Sequence, residues 1–196
     1  MNKILFFAMI LSLFSCQTIP YSQFPIIFKT AVYGAEDIAV SETTISERKY
    51  SFIKVRFGKK FVALLTLVNT DSNIFEWITS TGEKVFTYNG KVIRTVGLTN
   101  NIHIYTYENF SCSTHEKKIV NYDVMLEDPR AFVTQSASID VDLSSANTCY
   151  ERVTTNGFSW SHVNHYRYNK DGLPKKAIQS IHPMLPIMEI DFYYKY

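Results

Sequence analysis

Two pairs of carboxylates have a spacing suited to acid–base chemistry or cation binding. Asp140 and Asp142 are two residues apart in a run that alternates like a strand, and so are Glu189 and Asp191. Side chains two apart on a strand share a face, so either pair could hold a cation or serve a glycan-modifying enzyme as acid and base. We expect solvated polar faces at both pairs. An enzyme that uses one of the pairs stays the alternative.

Other catalytic patterns are missing from the sequence. It contains no Gly-Xaa-Ser-Xaa-Gly elbow, no phosphate loop and no zinc-protease helix motif. His162 and His165 are three residues apart on a predicted strand, so their side chains should point to opposite faces and make poor joint metal ligands. The sequence therefore predicts no catalytic residue, no cofactor and no metal site.

Aromatic residues and one arginine are the remaining candidates for a binding surface. Exposed rings stack on sugars, whereas buried rings pack the core, and the candidates are Trp77, Trp160, Tyr105, Tyr107 and Tyr166. Simple alternation places Arg94 on the same face as Val92 and Val96, which we expect to point inward. A cation there needs a carboxylate or carbonyls around it, either as a buried ion pair or as the floor of an acidic-sugar site. We favour the structural role.

The elements that position these residues centre on two hairpins between residues 61 and 98. Asn89-Gly90 separates two β-rich runs and favours a type I′ turn, because both positions require φ > 0. Thr81-Gly82 offers a second, looser turn. The apolar run Phe61 to Val68 predicts a central strand covered on both faces.

From Tyr50 onward, short strands and turn residues alternate regularly. About eleven or twelve strands predict an all-β fold, a single antiparallel barrel-like or sandwich domain over residues 24–196. Apolar spacing over residues 24–33 predicts a short N-terminal helix, and residues 43–49 could add a helical turn or two.

The N-terminus has the form of an export signal. A positive start at Lys3 precedes the apolar run Ile4 to Phe14, which suits a secretory signal and is too short to span a bilayer permanently. Leu13-Phe14-Ser15-Cys16 resembles the lipobox of bacterial lipoproteins. This resemblance implies cleavage after residue 15, acylation of Cys16 with chains such as palmitate, a tether over residues 16–23, and, from Gln17, sorting to the outer membrane. An ordinary signal peptide with an incidental cysteine is the alternative.

Composition fits one exported domain. Hydrophobic residues make up 46% of the 196 residues, and the net charge of +2 gives no indication of nucleic-acid binding. Cys112 and Cys149 form an even pair, for which a disulfide is the default in an exported protein and two buried free thiols the alternative.

Two stretches carry a resemblance to a known family. The first runs from Trp77-Ile-Thr-Ser-Thr-Gly82 to Asn89-Gly-Lys-Val-Ile-Arg94-Thr-Val-Gly97-Leu98, and the second from Tyr166 through Gly172, Gln179 and Pro183 to Ile190. With the lipobox, they resemble the outer-membrane lipoproteins of exopolysaccharide and group 4 capsule operons, the YjbF/GfcB-type family. The family's usual Trp in the closing motif is replaced here by Tyr168 or Arg167.

This resemblance implies a lipid-anchored, barrel-like periplasmic domain on the outer membrane with a non-enzymatic role in surface-polysaccharide secretion or assembly. It also implies an outer-membrane barrel protein and a periplasmic accessory protein of the same operon as partners, and polysaccharide as a further ligand. Residues predicted to contact glycan or partner are Trp77, Arg94, Tyr105, Tyr107 and Gln179.

Overall fold

The protein forms a closed antiparallel barrel of twelve strands. A computed structural model describes residues 37–59, 61–112, 117–142, 147–157 and 159–195. Within these residues, one short helix, α1 (Glu42–Glu47), precedes the barrel, and a 3₁₀-helix (Tyr107–Asn109) follows the sixth strand. The strands are β1 (Phe52–Phe57), β2 (Phe61–Asp71), β3 (Ile74–Ile78), β4 (Lys84–Tyr88), β5 (Lys91–Val96), β6 (Ile102–Tyr105), β7 (Lys118–Leu126), β8 (Ala131–Asp142), β9 (Thr148–Thr155), β10 (Ser161–Tyr168), β11 (Pro174–Gln179) and β12 (Met188–Tyr193).

Each strand pairs with its neighbours in the chain, and β1 pairs with β12 to close the ring. Connections that follow odd-numbered strands therefore lie at one end, here called the Gly97 end. Connections that follow even-numbered strands lie at the other, the Gly90 end. The predicted all-β barrel with a short helix near its start is confirmed, because the chain alternates inward apolar and outward polar residues along nearly every strand.

Side chains fill the barrel interior. Its largest fully buried members include Trp77, Tyr122, Tyr166, Phe110 and Ile53. The Trp77 indole donates a hydrogen bond from Nε1 to the Thr87 hydroxyl at 2.9 Å, which satisfies its polar atom inside the core. The interior is thus a packed core, and among the buried polar atoms of its described residues the Tyr122 hydroxyl has no hydrogen-bond partner.

The predicted turn at Asn89-Gly90 is confirmed, with φ values of +50° and +84°. The helical turn or two predicted over residues 43–49 is confirmed as α1. The expectation that Phe61 to Val68 is covered on both faces is wrong, since Phe61 and Val68 are 42% and 54% exposed and only Leu65 of the run is fully buried. A barrel wall turns one face of every strand outward, so the run's alternate residues lie on the surface. The predicted helix over residues 24–33 lies outside the described residues.

Cys112 and Cys149 form the predicted disulfide, with their Cα atoms 5.8 Å apart. It joins the segment after the 3₁₀-helix to β9 at the Gly90 end. Across the described part of the chain, none of the helices has the length and apolar character needed to cross a membrane.

Candidate functional site

A buried ion pair lies inside the barrel, near its Gly90 end. Lys91, the first residue of β5, places its Nζ 2.8 and 2.9 Å from the two carboxylate oxygens of Glu151 on β9. Their side chains are 2% and 0% exposed. Asn164 and Tyr166, both on β10, donate further hydrogen bonds to Glu151 at 2.8 and 2.9 Å. The carboxylate therefore has three donors around it, as a buried charge requires.

Aromatic rings complete the surroundings of the Lys91 ammonium. Its Nζ lies 4.3 Å from the centre of the Tyr122 ring and 5.3 Å from that of Phe110, within range of cation–π attraction. Burial raises the pKa of Glu151, but Lys91, Asn164 and Tyr166 together outweigh burial and hold that pKa below its ordinary value. Glu151 is thus a fixed anion, enclosed away from any substrate.

The two stretches that carry the family resemblance meet in the interior beside this pair. Gln179 on β11 accepts a hydrogen bond from the backbone N–H of Val92 at 3.0 Å and donates one to the carbonyl of Gly90 at 3.2 Å. Tyr168 donates a hydrogen bond to the Asn89 carbonyl at 2.9 Å. Residues of the closing motif therefore clamp the type I′ turn of the first motif, which gives both motifs a structural role.

Arg94 lies on the outer wall, and its predicted inward orientation is wrong. Strands β4 and β5 pair Thr87 with Val92 but Phe86 with Arg94, so Ile93 is an extra residue that forms a β-bulge. A bulge reverses the alternation of the residues after it. Thr95 consequently points inward and is buried, while Arg94 is exposed. The buried cation of this hairpin is Lys91 instead.

The Arg94 side chain lines a cavity of about 290 Å³ on the outside of the barrel, here called the wall groove. Its lining crosses the wall in strand order, from β2 and β3 over β4 to β5, β6 and the 3₁₀-helix. The lining residues are Asn69, Asp71, Ile74, Glu76, Phe86, Ile93, Arg94, His103 and Tyr107. The groove thus combines acidic, aromatic and basic side chains on one accessible surface.

Charges in the wall groove are separated across it. Glu76 is paired with Lys84 at 2.7 Å, and Asp71 accepts a hydrogen bond from the Ser72 hydroxyl at 2.9 Å. On the other side Arg94 and His103 are direct cross-strand partners. Burial and then the Arg94 charge lower the pKa of His103, against an opposing effect of Glu127. His103 is therefore neutral at pH 7 beside a permanent cation.

A second, more apolar cavity of about 440 Å³ opens at the Gly97 end. Phe57, Phe61, Leu185 and Met188 are among its lining residues, and Glu83 is its only charged one. Hydrogen bonds from Thr79 and Thr81 lower the pKa of Glu83, so this residue remains an anion at the rim.

Of the residues predicted to contact glycan or partner, the structure brings Arg94 and Tyr107 together in the wall groove. Tyr105 lies beside them on the outer wall, stacked on His103 with ring centres 4.2 Å apart. Trp77 and Gln179 cannot make a surface contact, since both are 0% exposed. Both side chains face the barrel interior. The alternation along a single strand does not show which of its two faces the closed barrel will enclose.

The other candidates from the sequence are dispersed. Tyr166 is buried in the ion-pair cluster and Trp160 is half-buried. His162 and His165 lie on opposite faces of β10, as predicted. Asp191 is held 3.4 Å from Lys54 and 3.5 Å from Lys176, and Asp140 is exposed. In the described ranges, no three His, Cys, Asp or Glu side chains are grouped so that they could hold a metal ion.

Lys91, Glu151 and His103 were missed as site residues. Glu151 did leave a signal, because it lies between Cys149 and Val153 on the apolar face of a predicted strand. A lone carboxylate on an inward face needs a buried cation, and that requirement could have directed attention to Lys91. His103 gave a weaker signal, its shared face with Tyr105 and Tyr107.

Comparison with known proteins identifies one matching family. The model of the YjbF family, described as "Group 4 capsule polysaccharide lipoprotein gfcB, YjbF", matches residues 27–192. No curated protein matches the chain.

A solved structure has the same fold. The crystal structure of the hypothetical lipoprotein YmcC from Escherichia coli (K12) is similar over 93% of this chain and 98% of its own, with a TM-score of 0.70 and 15% sequence identity. At 15% identity this similarity supports the barrel fold alone. The wall groove is therefore interpreted from the residues of this chain.

Proposed function

Because this chain belongs to the YjbF family of group 4 capsule polysaccharide lipoproteins, we propose that it is a lipid-anchored accessory protein in the secretion or assembly of a surface polysaccharide. It stands on the periplasmic face of the outer membrane, attached through acylated Cys16, and acts by binding glycan or partner proteins. The partners are an outer-membrane barrel protein and a periplasmic accessory protein from the same operon. It binds no nucleic acid and has no catalytic role.

The wall groove is the main structural support for a binding role. It combines ring faces, amide and carboxylate acceptors, and a cation in one open cavity, and proteins use such mixtures to hold polar ligands. The interior offers no comparable surface, because Lys91, Glu151, Asn164 and Gln179 are all buried and bonded to one another or to the backbone.

The carboxylate pairs favour binding over the alternative of glycan modification. A retaining or inverting glycosidase needs two carboxyl groups flanking one sugar bond. Here Asp191 is engaged by two lysines, and neither Glu189 nor Asp140 lines either of the two cavities described above. A variant lacking the Glu189 and Asp191 carboxylates that folds normally yet makes no polymer would favour the enzyme.

A chromosomal replacement in the source bacterium tests the binding role. The double change Arg94→Met and Tyr107→Ala should reduce surface polymer while protein abundance, measured by immunoblot, stays normal. Arg152→Met is the matched control, because Arg152 is exposed on β9, distant in the strand order from the groove. Normal polymer from the double variant would contradict a role for the groove.

A separate chromosomal replacement tests the anchor. Cys16→Ala should abolish palmitate labelling and remove the protein from the outer-membrane fraction, with loss of surface polymer. A Cys16→Ala protein that still carries palmitate and still fractionates with the outer membrane would overturn the lipid anchor.

A further inference from the structure

We propose that the wall groove recognises an acidic sugar, with the sugar carboxylate bound between Arg94 and His103. This inference rests on the proposed function, since it names the class of glycan that the groove would take. The ligand chemistry is a pyranose bearing a carboxylate, as in a uronic acid residue.

Arg94 has the properties of an anion receptor that is not already occupied. None of the ion pairs among the described residues involves its guanidinium. The guanidinium carbon lies 5.6 Å from the centre of the Phe86 ring, which orients the group without neutralising it. A guanidinium presents a planar fork of N–H donors that matches a carboxylate in two parallel hydrogen bonds.

His103 supplies a second donor at the same place. It is the cross-strand partner of Arg94 on β6, and directly opposed residues on neighbouring strands have Cβ atoms about 5 Å apart. Stacking on Tyr105 holds its ring. A ligand that touches Arg94 on this face therefore also meets the imidazole.

The opposite side of the groove suits the hydroxyl groups of the sugar. Asn69 and Asp71 on β2 provide amide and carboxylate oxygens that accept hydrogen bonds from hydroxyls. Phe86 lies between the two sides and offers a ring face. The arrangement places acceptors for hydroxyls on one side and donors for a carboxylate on the other, which a neutral sugar would use only in part. A cavity of about 290 Å³ is at the small end of ligand sites and fits a short stretch of glycan.

Binding should strengthen as the pH falls. A bound carboxylate adds a negative charge beside His103 and raises the pKa of the imidazole from its lowered value. The imidazole therefore takes up a proton when the carboxylate binds. Uronate carboxyls stay ionised between about pH 6 and 8, since carboxyl pKa values lie near 4. The charged or titratable groups around this imidazole are Arg94, Glu127, Tyr105, Asp123, Tyr107, Asp71, Glu76 and Lys84.

The experiment uses the purified exported domain and tetragalacturonate as the probe, with isothermal titration calorimetry at low salt. The fully methyl-esterified tetramer is the matched ligand control, because it keeps every hydroxyl and loses only the negative charges. We expect the acid to bind at least about tenfold more tightly than the ester, as the loss of charge-assisted hydrogen bonds implies. Arg94→Met should remove that preference, and Arg152→Met should keep it.

The pH dependence is the second readout. Affinity for tetragalacturonate should rise between pH 8 and 6 in the wild type and stay level in His103→Gln. Three results would overturn the proposal: no binding of tetragalacturonate, equal binding of acid and ester, or equal weakening by Arg94→Met and Arg152→Met. Equal binding of acid and ester would leave a glycan-binding role standing, and the polymer phenotype of the groove variant tests that role separately.

Discussion

Lys91 and Glu151 form the one ion pair among the described residues in which both side chains are almost fully buried, at 2% and 0% exposed. Lys91 begins β5 directly after the type I′ turn, and Glu151 lies across the interior on β9. Neither side chain can reach water, so each depends on the other to offset its desolvation. The pair therefore selects one register for the hairpin, because a shift of one residue would turn Lys91 outward and leave Glu151 alone.

Removal of one partner should be far worse than removal of both. Lys91→Met leaves a buried, unpaired carboxylate and should lower the free energy of unfolding by about 3–5 kcal/mol. Lys91→Met combined with Glu151→Leu should regain much of that loss. Lys84→Met is the control, since the Lys84–Glu76 pair is partly exposed and should contribute less than about 1 kcal/mol. Urea denaturation measures all three, and equal losses in Lys91→Met and Lys84→Met would contradict the role of the pair.

The same carboxylate should make stability dependent on pH in the acid range. The folded-state pKa of Glu151 lies below its ordinary value, so its contribution is complete above the unfolded pKa of about 4.3. That contribution is lost as the pH falls through the lower folded-state pKa. Urea midpoints measured from pH 7 to pH 3 should fall more steeply in the wild type than in the double variant without Lys91 and Glu151. Parallel curves would show that other carboxylates dominate acid unfolding.

At the scale of elements, the sequence was a good guide to strands and turns and a poor guide to which residues the ring encloses. The strand period predicted that Asp140 and Asp142 share a face of β8 and that His162 and His165 lie on opposite faces of β10, and Asn89-Gly90 predicted its turn. The bulge at Ile93 was not predicted, because no residue type there marks it, and this one insertion moved Arg94 to the surface. The wall groove could not be predicted as a site, since it joins residues of five strands and the 3₁₀-helix whose adjacency depends on register.

The turn that begins β5 can be tested against a second glycine of similar conformation. A Cβ on Gly90, at φ +84°, would lie 3.0 Å from Cβ of Pro174, whereas Gly172, at φ +77°, has open space around it. Gly172→Ala should lose about 1–2 kcal/mol from the left-handed backbone alone, and Gly90→Ala should lose more because Pro174 must also move. Thermal melts of the two variants measure the difference, and equal melting temperatures would show that the contact with Pro174 is harmless.

The disulfide ties the segment after the 3₁₀-helix to β9 at the Gly90 end. Cys112 and Cys149 are 37 residues apart in the chain, a loop for which chain entropy alone gives about 3–4 kcal/mol. Cys112 follows Phe110, which packs on Tyr166 with ring centres 4.9 Å apart and lies over Lys91. Cys112→Ser with Cys149→Ser should therefore lower the urea midpoint, and mass spectrometry of the unreduced wild type should show the two peptides linked. Two thiols that alkylate freely in the native wild type would refute the link.

At the scale of the whole molecule, closure of the barrel makes each strand depend on two neighbours. β12 pairs with β1 over six residue pairs and with β11 over four, so the last strand of the barrel completes contacts begun by the first. A closed ring leaves no strand edge open, and the packed interior couples opposite walls through Gln179, Lys91 and Glu151. We infer that the described barrel folds as one cooperative unit.

Cooperative closure predicts that a destabilising substitution at the seam, the pairing of β12 with β1, destabilises the whole barrel. Ile190 on β12 is fully buried, with Val55 of β1 and Ala177 of β11 as its register partners. Ile190→Ala should lower the free energy of unfolding by about 2–5 kcal/mol, whereas Ile119→Ala, at a side chain 72% exposed, should change it by less than about 0.5 kcal/mol. In both variants the urea transitions followed by tryptophan fluorescence and by far-ultraviolet circular dichroism should coincide. Two separated transitions in Ile190→Ala, with fluorescence from buried Trp77 retained after part of the strand signal is lost, would mean that the wall containing β3 and β4 folds independently of the seam.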